Sequence, residues 1–216
     1  MEKPFMPVTR KRSYRRLIFA LGAAFALAGC AQPRSTPQTS PPPIGNGYPE
    51  KLNITEPGPQ EVVVIINDNT QMVHAGLFAG AKLLDPAGSY EGTRRLDSQW
   101  PGPSLQDYVR FQLEDGPVVK LYRVTLSAEH FAQVKTRMEA AGRAVPLFCA
   151  AKVQNILSGI GPFAAVPDAW LVSPAVLAGH LDKIVAVAPA SAACYWPNGA
   201  SCNPGPRVER FEAAKQ

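Results

Sequence analysis

Residues 62–78, with the sequence VVVIINDNTQMVHAGLF, decide the fold of this 216-residue chain. The first five residues are β-branched and apolar, which predicts a short buried strand. Asn67-Asp68-Asn69 is typical of a turn. Residues 72–78 form a second apolar run. Two short apolar runs separated by a turn predict the first two strands of a meander.

The following segments extend this meander and then change to helical periodicity. Ala79-Gly80 permits a tight reversal into a third strand that ends at Asp85, and residues 118–124 predict a fourth. Residues 86–117 predict a long surface excursion with a short helix over 104–113. Three further helices are predicted from capping residues and apolar spacing: from Ala128, capped by Ser127, to Gly142; from Phe148 to Leu157; and from Pro174, capped by Ser173. The fold class is therefore α+β, with an antiparallel sheet packed against helices.

The N-terminus has the organisation of an export signal. Residues 1–16 are basic and residues 17–28 are apolar, a run too short to span a membrane comfortably. Leu27-Ala28-Gly29-Cys30 resembles the bacterial lipobox, in which cleavage leaves a diacylated N-terminal cysteine. We therefore expect residues 1–29 to be a lipoprotein signal peptide and the lipid on Cys30 to hold the protein to a membrane. An ordinary signal peptide that happens to contain a cysteine is the alternative.

Two further features narrow the location and the partners. Ala31 follows the lipidated cysteine, where the resemblance to enteric lipoproteins favours the periplasmic face of the outer membrane in the bacterial cell envelope. The net charge of +5 belongs to the signal, because residues 1–29 hold six Lys or Arg and one Glu. The remaining chain is close to neutral, so we expect no nucleic-acid partner.

The rest of the chain divides into a tether, a domain and a tail. Residues 30–60 are rich in Pro, Ser, Thr, Gln and Gly, a composition typical of an extended tether. Residues 61–188 have the usual size of one domain, and 189–216 form a C-terminal tail. Cys194 and Cys202 bracket a short turn in the tail and predict a local disulfide in an exported protein. We expect no metal and no cofactor, because no zinc motif, phosphate loop or nucleotide fingerprint occurs.

Cys149 is the one cysteine for which neither lipidation nor a disulfide is predicted. An unpaired thiol in an exported protein needs an explanation. It lies in the first turn of a predicted helix, four residues before Val153 and therefore on the apolar face that packs on the sheet. The helix dipole and the free backbone N–H groups lower a cysteine pKa there and can stabilise an oxyanion. Cys149 is therefore a candidate nucleophile. An inert core thiol and an intermolecular disulfide remain the alternatives.

A thiolate nucleophile needs a base, and His74 is the candidate among the three histidines. It lies in the second strand, two residues before Gly76, where the missing side chain lets a substrate or another backbone come close. His130 is expected at the surface and His180 at a half-buried edge. A satisfied core histidine is the alternative for His74.

A third polar group usually orients the imidazole, and Asp85 is the candidate. In a hairpin that turns near Gly80, Asp85 lies roughly opposite His74. Asp68 and Asn69, in the preceding turn, are the competing residues.

The order His, polar residue, Cys at the start of a later helix resembles the circularly permuted papain-like pattern. This pattern is seen in NlpC-type cell-wall peptidases and in lecithin:retinol acyltransferase-like proteins. The resemblance rests on four segments of this chain: residues 73–77, 89–92, 122–124 and 148–157. It implies a permuted papain-like fold and a cysteinyl acyl-enzyme formed without a metal, with Cys149 as nucleophile and its backbone N–H at the oxyanion. The third position, often a second His in these families, is Asp85 here.

The sequence therefore predicts an envelope lipoprotein with cysteine-dependent amide or thioester hydrolase or acyl-transfer activity. Location and resemblance favour peptidoglycan peptides as the substrate. A non-catalytic envelope lipoprotein that keeps the fold for binding or scaffolding is the alternative. Transfer of a lipid acyl group is a third hypothesis, which predicts an apolar trough beside Cys149.

Overall fold

The computed structural model of the protein describes residues 52–67, 74–95, 102–142, 144, 148–187 and 205–213. The strands of this part of the chain are β1 (Glu61–Asn67), β2 (His74–Ala79), β3 (Lys82–Leu84), β4 (Val118–Thr125) and β5 (Arg207–Glu212). Its α-helices are α1 (Ser89–Arg94), α2 (Leu105–Asp115), α3 (Ala128–Ala140), α4 (Cys149–Leu157) and α5 (Pro174–Val187).

The strands form one antiparallel sheet in the order β3-β2-β1-β4-β5, which confirms the α+β class. β1 is central, and every one of its seven residues is buried. Because side chains alternate along a strand, Val62, Val64 and Ile66 face one side of the sheet while Val63 and Ile65 face the other. A central strand that is apolar on both faces requires cover on both faces.

Helices supply that cover on each side. One core packs β1 against α3, α4 and α5, and the other packs it against α1 and α2. The second layer comes from the region predicted as a surface excursion. Its predicted helix forms as α2, but this helix is a packing element in which Leu105, Tyr108 and Val109 are fully buried. The excursion therefore forms a layer of the fold.

Two helices begin at their predicted capping residues, and a third begins where the sequence predicts. Ser127 Oγ accepts a hydrogen bond from the N–H of His130 at 3.2 Å and begins α3. Ser173 Oγ accepts from the N–H of Val176 at 3.3 Å next to α5. α4 runs from Cys149 to Leu157, which confirms that Cys149 lies in the first turn of its helix.

The sheet extends beyond the predicted domain boundary at residue 188. β5 pairs along β4 and places Glu209 3.0 Å from Arg123 Nε. Arg123 is fully buried in β4, and its Nη1 also donates to Glu61 at 3.0 Å. At the other end, Leu52 is buried in the core, so packing begins before residue 61. A buried guanidinium requires paired carboxylates, and a tail strand supplies one of them.

Several predicted features fall on other parts of the chain. The signal peptide, Cys30 and residues 30–51 of the tether lie outside the described residues, as do Cys194 and Cys202. The lipidation and the disulfide therefore stay predictions. Of the helices that the structure describes, none combines the length and the apolar character needed to cross a membrane.

Candidate active site

The candidate site begins at one end of the β2–β3 hairpin. His74 is the first residue of β2, and Asp85 follows directly after β3. The strands are antiparallel and joined through Gly80, which adopts a φ of 54°, so the start of β2 and the end of β3 lie at the same edge. His74 Nε2 lies 2.8 Å from Asp85 Oδ1. The structure thus brings together the two residues that the hairpin predicted to be opposite.

The Asp85 carboxylate is held by several donors in a site almost closed to solvent. Its side chain is 1% exposed, and its second oxygen accepts from the backbone N–H of Tyr90 at 2.8 Å and the hydroxyl of Ser89 at 3.3 Å. Burial alone would raise the pKa of Asp85, but the hydrogen bond and charge of His74, with the donors in α1, lower it overall. Asp85 is therefore a stable anion. The competing residues, Asp68 and Asn69, lie outside the described part of the chain.

Cys149 approaches His74 from the opposite layer of the fold. It is a free cysteine that is 3% exposed at the N-terminus of α4. The His74 side chain and the backbone N–H groups of Ala75 and Ala150 are the hydrogen-bonding groups that lower the pKa of its thiol. Ala150 belongs to the first turn of α4. Ala75 lies in β2 beyond the three residues that pair with β3, so its outer edge is open to the sulfur.

These contacts favour the ionised form of the thiol. Burial by itself would raise the pKa of Cys149, but the hydrogen bond from His74, the positive charge of that ring and the two backbone donors lower it. For His74, burial would lower the pKa, yet hydrogen bonds to Asp85 and Cys149 and their negative charges raise it from 6.5 to about 10. Between the two pKa values, the pair is a thiolate beside an imidazolium.

The hydrogen bond to Asp85 occupies one ring nitrogen of His74 and leaves the other for Cys149. Nε2 faces the carboxylate of Asp85 at 2.8 Å. Nδ1 is then the nitrogen left for the hydrogen bond with Cys149. An imidazole held on one side by a carboxylate and on the other by a thiol can take and return a proton at Nδ1 without turning.

Tyr108, in α2, is a member of this group that sequence reasoning missed. Its hydroxyl lies 3.2 Å from His74 Nε2 and is hydrogen-bonded to Asp85. Tyr108 is fully buried, and burial together with the negative charges of Asp85 and Cys149 raises its pKa well above 10. The hydroxyl therefore remains protonated and donates to the carboxylate.

In the sequence, Gly76 is the residue that indicates the close approach of the Tyr108 side chain. A Cβ built at Gly76 would lie 2.4 Å from the Tyr108 hydroxyl oxygen and 2.9 Å from its Cε1. The prediction that Gly76 leaves room for a substrate or another backbone was wrong. The tyrosine side chain from α2 fills this space, because β2 must be covered on this face.

The other two histidines lie elsewhere in the described structure. His130 is half-buried, and its ring packs over Gly161, where a Cβ would lie 2.6 Å from Nδ1. His180 is half-buried in α5, as expected, and lines an apolar cavity of about 540 Å³ with Val166, Ile184 and other residues. This cavity includes no member of the Cys149–His74–Asp85 group, so its size is no guide to the chemistry.

An aromatic pair, made of the half-buried Phe148 and the exposed Trp170, lies next to Cys149. Phe148 directly precedes Cys149, and its ring centroid lies 6.4 Å from that of Trp170. Trp170 is 78% exposed, yet the preceding residue, Ala169, is fastened to α4: its N–H and its carbonyl each bond the side chain of Asn155 at 2.8 Å. The loop therefore presents an apolar surface next to the start of α4.

Within the described ranges, no group of three or more His, Cys, Asp or Glu side chains is arranged so that it could hold a metal ion. The arrangement instead offers an acidic thiol, an imidazole and a buried carboxylate in one hydrogen-bonded row. In comparisons with known proteins, no family model matches this chain, and no match was found among curated proteins or solved structures.

Proposed function

We propose that this protein is a cysteine-dependent hydrolase or acyl-transfer enzyme of the bacterial envelope, with a permuted papain-like domain that acts on amide or thioester bonds. The observation that carries the proposal is the hydrogen-bonded row Cys149–His74–Asp85. Its three members come from α4, β2 and the end of β3, and the sheet between the helices is antiparallel. This chain order fits the permuted pattern that the sequence resembles.

In the first chemical step, the Cys149 thiolate attacks a carbonyl carbon. The new C–S bond moves the carbonyl π electrons onto oxygen, and the negative charge develops at the start of α4. The first bond inside this helix runs from the N–H of Lys152 to the carbonyl of Phe148, so the N–H of Cys149 has no acceptor within the helix. That donor can stabilise the oxyanion.

His74 completes the reaction at Nδ1. The imidazolium gives its proton to the leaving amine or thiol as the bond to the carbonyl carbon breaks, which leaves a thioester on Cys149. The neutral imidazole then takes a proton from water or another acceptor, which attacks the thioester and releases the thiolate. Asp85 remains an anion throughout and holds Nε2–H, so the ring keeps Nδ1 toward the sulfur.

The predicted anchor supports a substrate in the envelope. A lipid on Cys30 and a Pro-rich tether over residues 30–60 would hold the domain on the periplasmic face of the outer membrane, within reach of peptidoglycan peptides. Their amide bonds suit attack by a thiolate, and the near-neutral mature chain has no charge excess that would favour another polymer.

Transfer of a lipid acyl group is the second candidate, and one observation favours it. The exposed Trp170 pairs with the half-buried Phe148, the residue before the proposed nucleophile. An aliphatic chain bound to a thioester or ester would bury that surface, whereas a peptidoglycan peptide would leave much of it in water. The third possibility, a non-catalytic binding protein, needs no ionised thiol.

One experiment separates these functions. The full chain is incubated with peptidoglycan fragments and, separately, with long-chain acyl thioesters, beside the variants Cys149→Ala and His74→Ala. Release of peptide or of free thiol by the wild type alone, with a mass increase on Cys149 that marks the acyl-enzyme, supports the enzyme and identifies its class. If the wild type releases neither peptide nor free thiol and carries no adduct on Cys149, the result would support a non-catalytic binding protein.

A further inference from the structure

Tyr108 contributes the one phenol that touches the His74–Asp85 pair among the described residues. Its oxygen lies 3.2 Å from Nε2 of His74, and the hydroxyl bonds the Asp85 carboxylate. Its ring packs edge-on against Phe78 at 5.8 Å and Tyr90 at 5.2 Å between centroids. The phenol is thus fixed on both sides as well as at its tip.

We propose that Tyr108 is a positioning residue that holds the Asp85 carboxylate and the His74 ring in the orientation that turns Nδ1 toward Cys149. The inference rests on the proposed function and goes beyond it, because neither the sequence pattern nor the chemistry of attack requires a phenol here. A fourth donor, after His74 Nε2–H, Tyr90 N–H and Ser89, fixes the carboxylate plane.

Hydrogen bonds at the start of α2 fix the helix that carries Tyr108. Ser104 caps α2 by accepting from the N–H of Asp107 at 3.0 Å. The carboxylate of Glu56 accepts from the N–H groups of Leu105 and Gln106 at 2.9 and 3.3 Å, which ties the start of α2 to the segment before β1. Tyr108 lies one turn into this fastened helix. On the opposite side, the glycine at position 76 is required for its ring to reach Asp85.

A pH profile can test this role once the charged groups around His74 are known. The ring faces Asp85 after β3, Cys149 from α4 and Tyr108 from α2. Asp115, at the end of α2, also interacts electrostatically with His74. Tyr108→Phe removes only the phenol, which stays neutral over the pH range of the experiment. The other ionisable groups around His74 are unchanged.

The experiment measures the rate of Cys149 alkylation by iodoacetamide in the full folded chain, from pH 5 to pH 10, with peptide mapping of the label. The test variant is Tyr108→Phe, which deletes the hydroxyl and keeps the ring. Tyr90→Phe is the matched control: it is equally buried in the same aromatic cluster, but its hydroxyl donates to Asp107 at 2.5 Å, and its N–H to Asp85 is retained. Circular dichroism and thermal unfolding check that each variant is folded.

We expect Tyr108→Phe to move the midpoint of the alkylation profile upward by about 0.5–1 pH unit, the equivalent of one net hydrogen bond. Tyr90→Phe should keep the wild-type midpoint. If Tyr108→Phe does not fold, Gly76→Ala provides a second test, since it displaces the hydroxyl without deleting it and should shift the midpoint in the same direction.

Failure of the positioning role of Tyr108 can be distinguished from failure of the proposed function. A wild-type thiol that is alkylated at low pH, with a Tyr108→Phe profile that coincides with it, overturns the positioning role and leaves the proposed function standing. Equal shifts in both tyrosine variants would reduce Tyr108 to general packing and also overturn the inference. A wild-type thiol that reacts only after denaturation overturns the proposed function itself.

Discussion

Replacing Gly76 with Ala tests the contact on which the candidate site is built. The added Cβ would lie 2.4 Å from the hydroxyl oxygen of Tyr108, 2.9 Å from its Cε1 and 3.0 Å from its Cζ. Three atoms of one rigid ring are affected, so rotation of a flexible tip cannot relieve the overlap. Tyr108 is enclosed by Phe78 and Tyr90, so the accommodation must come from α2 or from β2.

The size of the effect follows from two contributions. Overpacking of a filled core by a methyl group costs about 1–3 kcal/mol. Displacing the Tyr108 hydroxyl from Asp85 adds about 0.5–1.5 kcal/mol for a lost hydrogen bond. We therefore expect Gly76→Ala to lower the free energy of unfolding by about 1.5–4.5 kcal/mol.

Gly179→Ala is the matched control. Gly179 lies inside α5, and a Cβ there meets no atom within 4 Å. The same substitution in an open helix position should raise the free energy of unfolding by about 0.5–1 kcal/mol.

Urea unfolding followed by circular dichroism measures both variants against the wild type. The double variant Gly76→Ala with Tyr108→Ala should be less destabilised than the sum of its single variants, because the new methyl group then enters space that the ring has left. Equal tolerance of Ala at positions 76 and 179 would mean that Tyr108 does not cover Gly76.

Three further outcomes are expected. The pKa of Asp85 is lower in the folded chain than its usual value near 3.8. Its contribution to stability is therefore present above pH 3.8 and is lost as the pH falls through the folded pKa. The free energy of unfolding, measured from pH 2 to 5, should show this loss in the wild type and not in Asp85→Asn. Deleting residues 205–216 removes Glu209 from the buried Arg123 and should lower the free energy of unfolding by about 3–5 kcal/mol, whereas an unchanged urea midpoint would show that the tail is dispensable. Asn155→Ala removes two hydrogen bonds to the loop that carries the exposed Trp170. It should raise amide hydrogen exchange in that loop and leave alkylation of Cys149 unchanged.

The features that sequence reasoning found are those with local causes. The first turn of α4 follows from apolar spacing, so the position of Cys149 at a helix N-terminus could be predicted from the sequence. The pairing of His74 with Asp85 follows from hairpin geometry, because a reversal at Gly80 brings the two ends of the strands together. Each of these needed only residues close in the chain.

The features that were missed depend on distant parts of the chain. The burial of α2 follows from the need to cover the second face of β1, which is visible only once β1 is known to be central. Tyr108 acts 34 residues after His74, and no short pattern joins them. β5 alternates half-buried and exposed residues and is highly charged, so its membership of the sheet depends on the buried Arg123 that it pairs.

The central claim is that His74 keeps Cys149 ionised in the folded protein. Its most direct test is the pH dependence of Cys149 alkylation in the wild type compared with His74→Ala. We expect rapid labelling of the native wild type near pH 7 and slow labelling of His74→Ala there, because a buried thiol without its imidazolium has a raised pKa. The difference should narrow toward pH 10, where His74 itself loses its proton. Coincident profiles for the two proteins, or labelling of the wild type only after denaturation, would show that His74 does not keep Cys149 ionised.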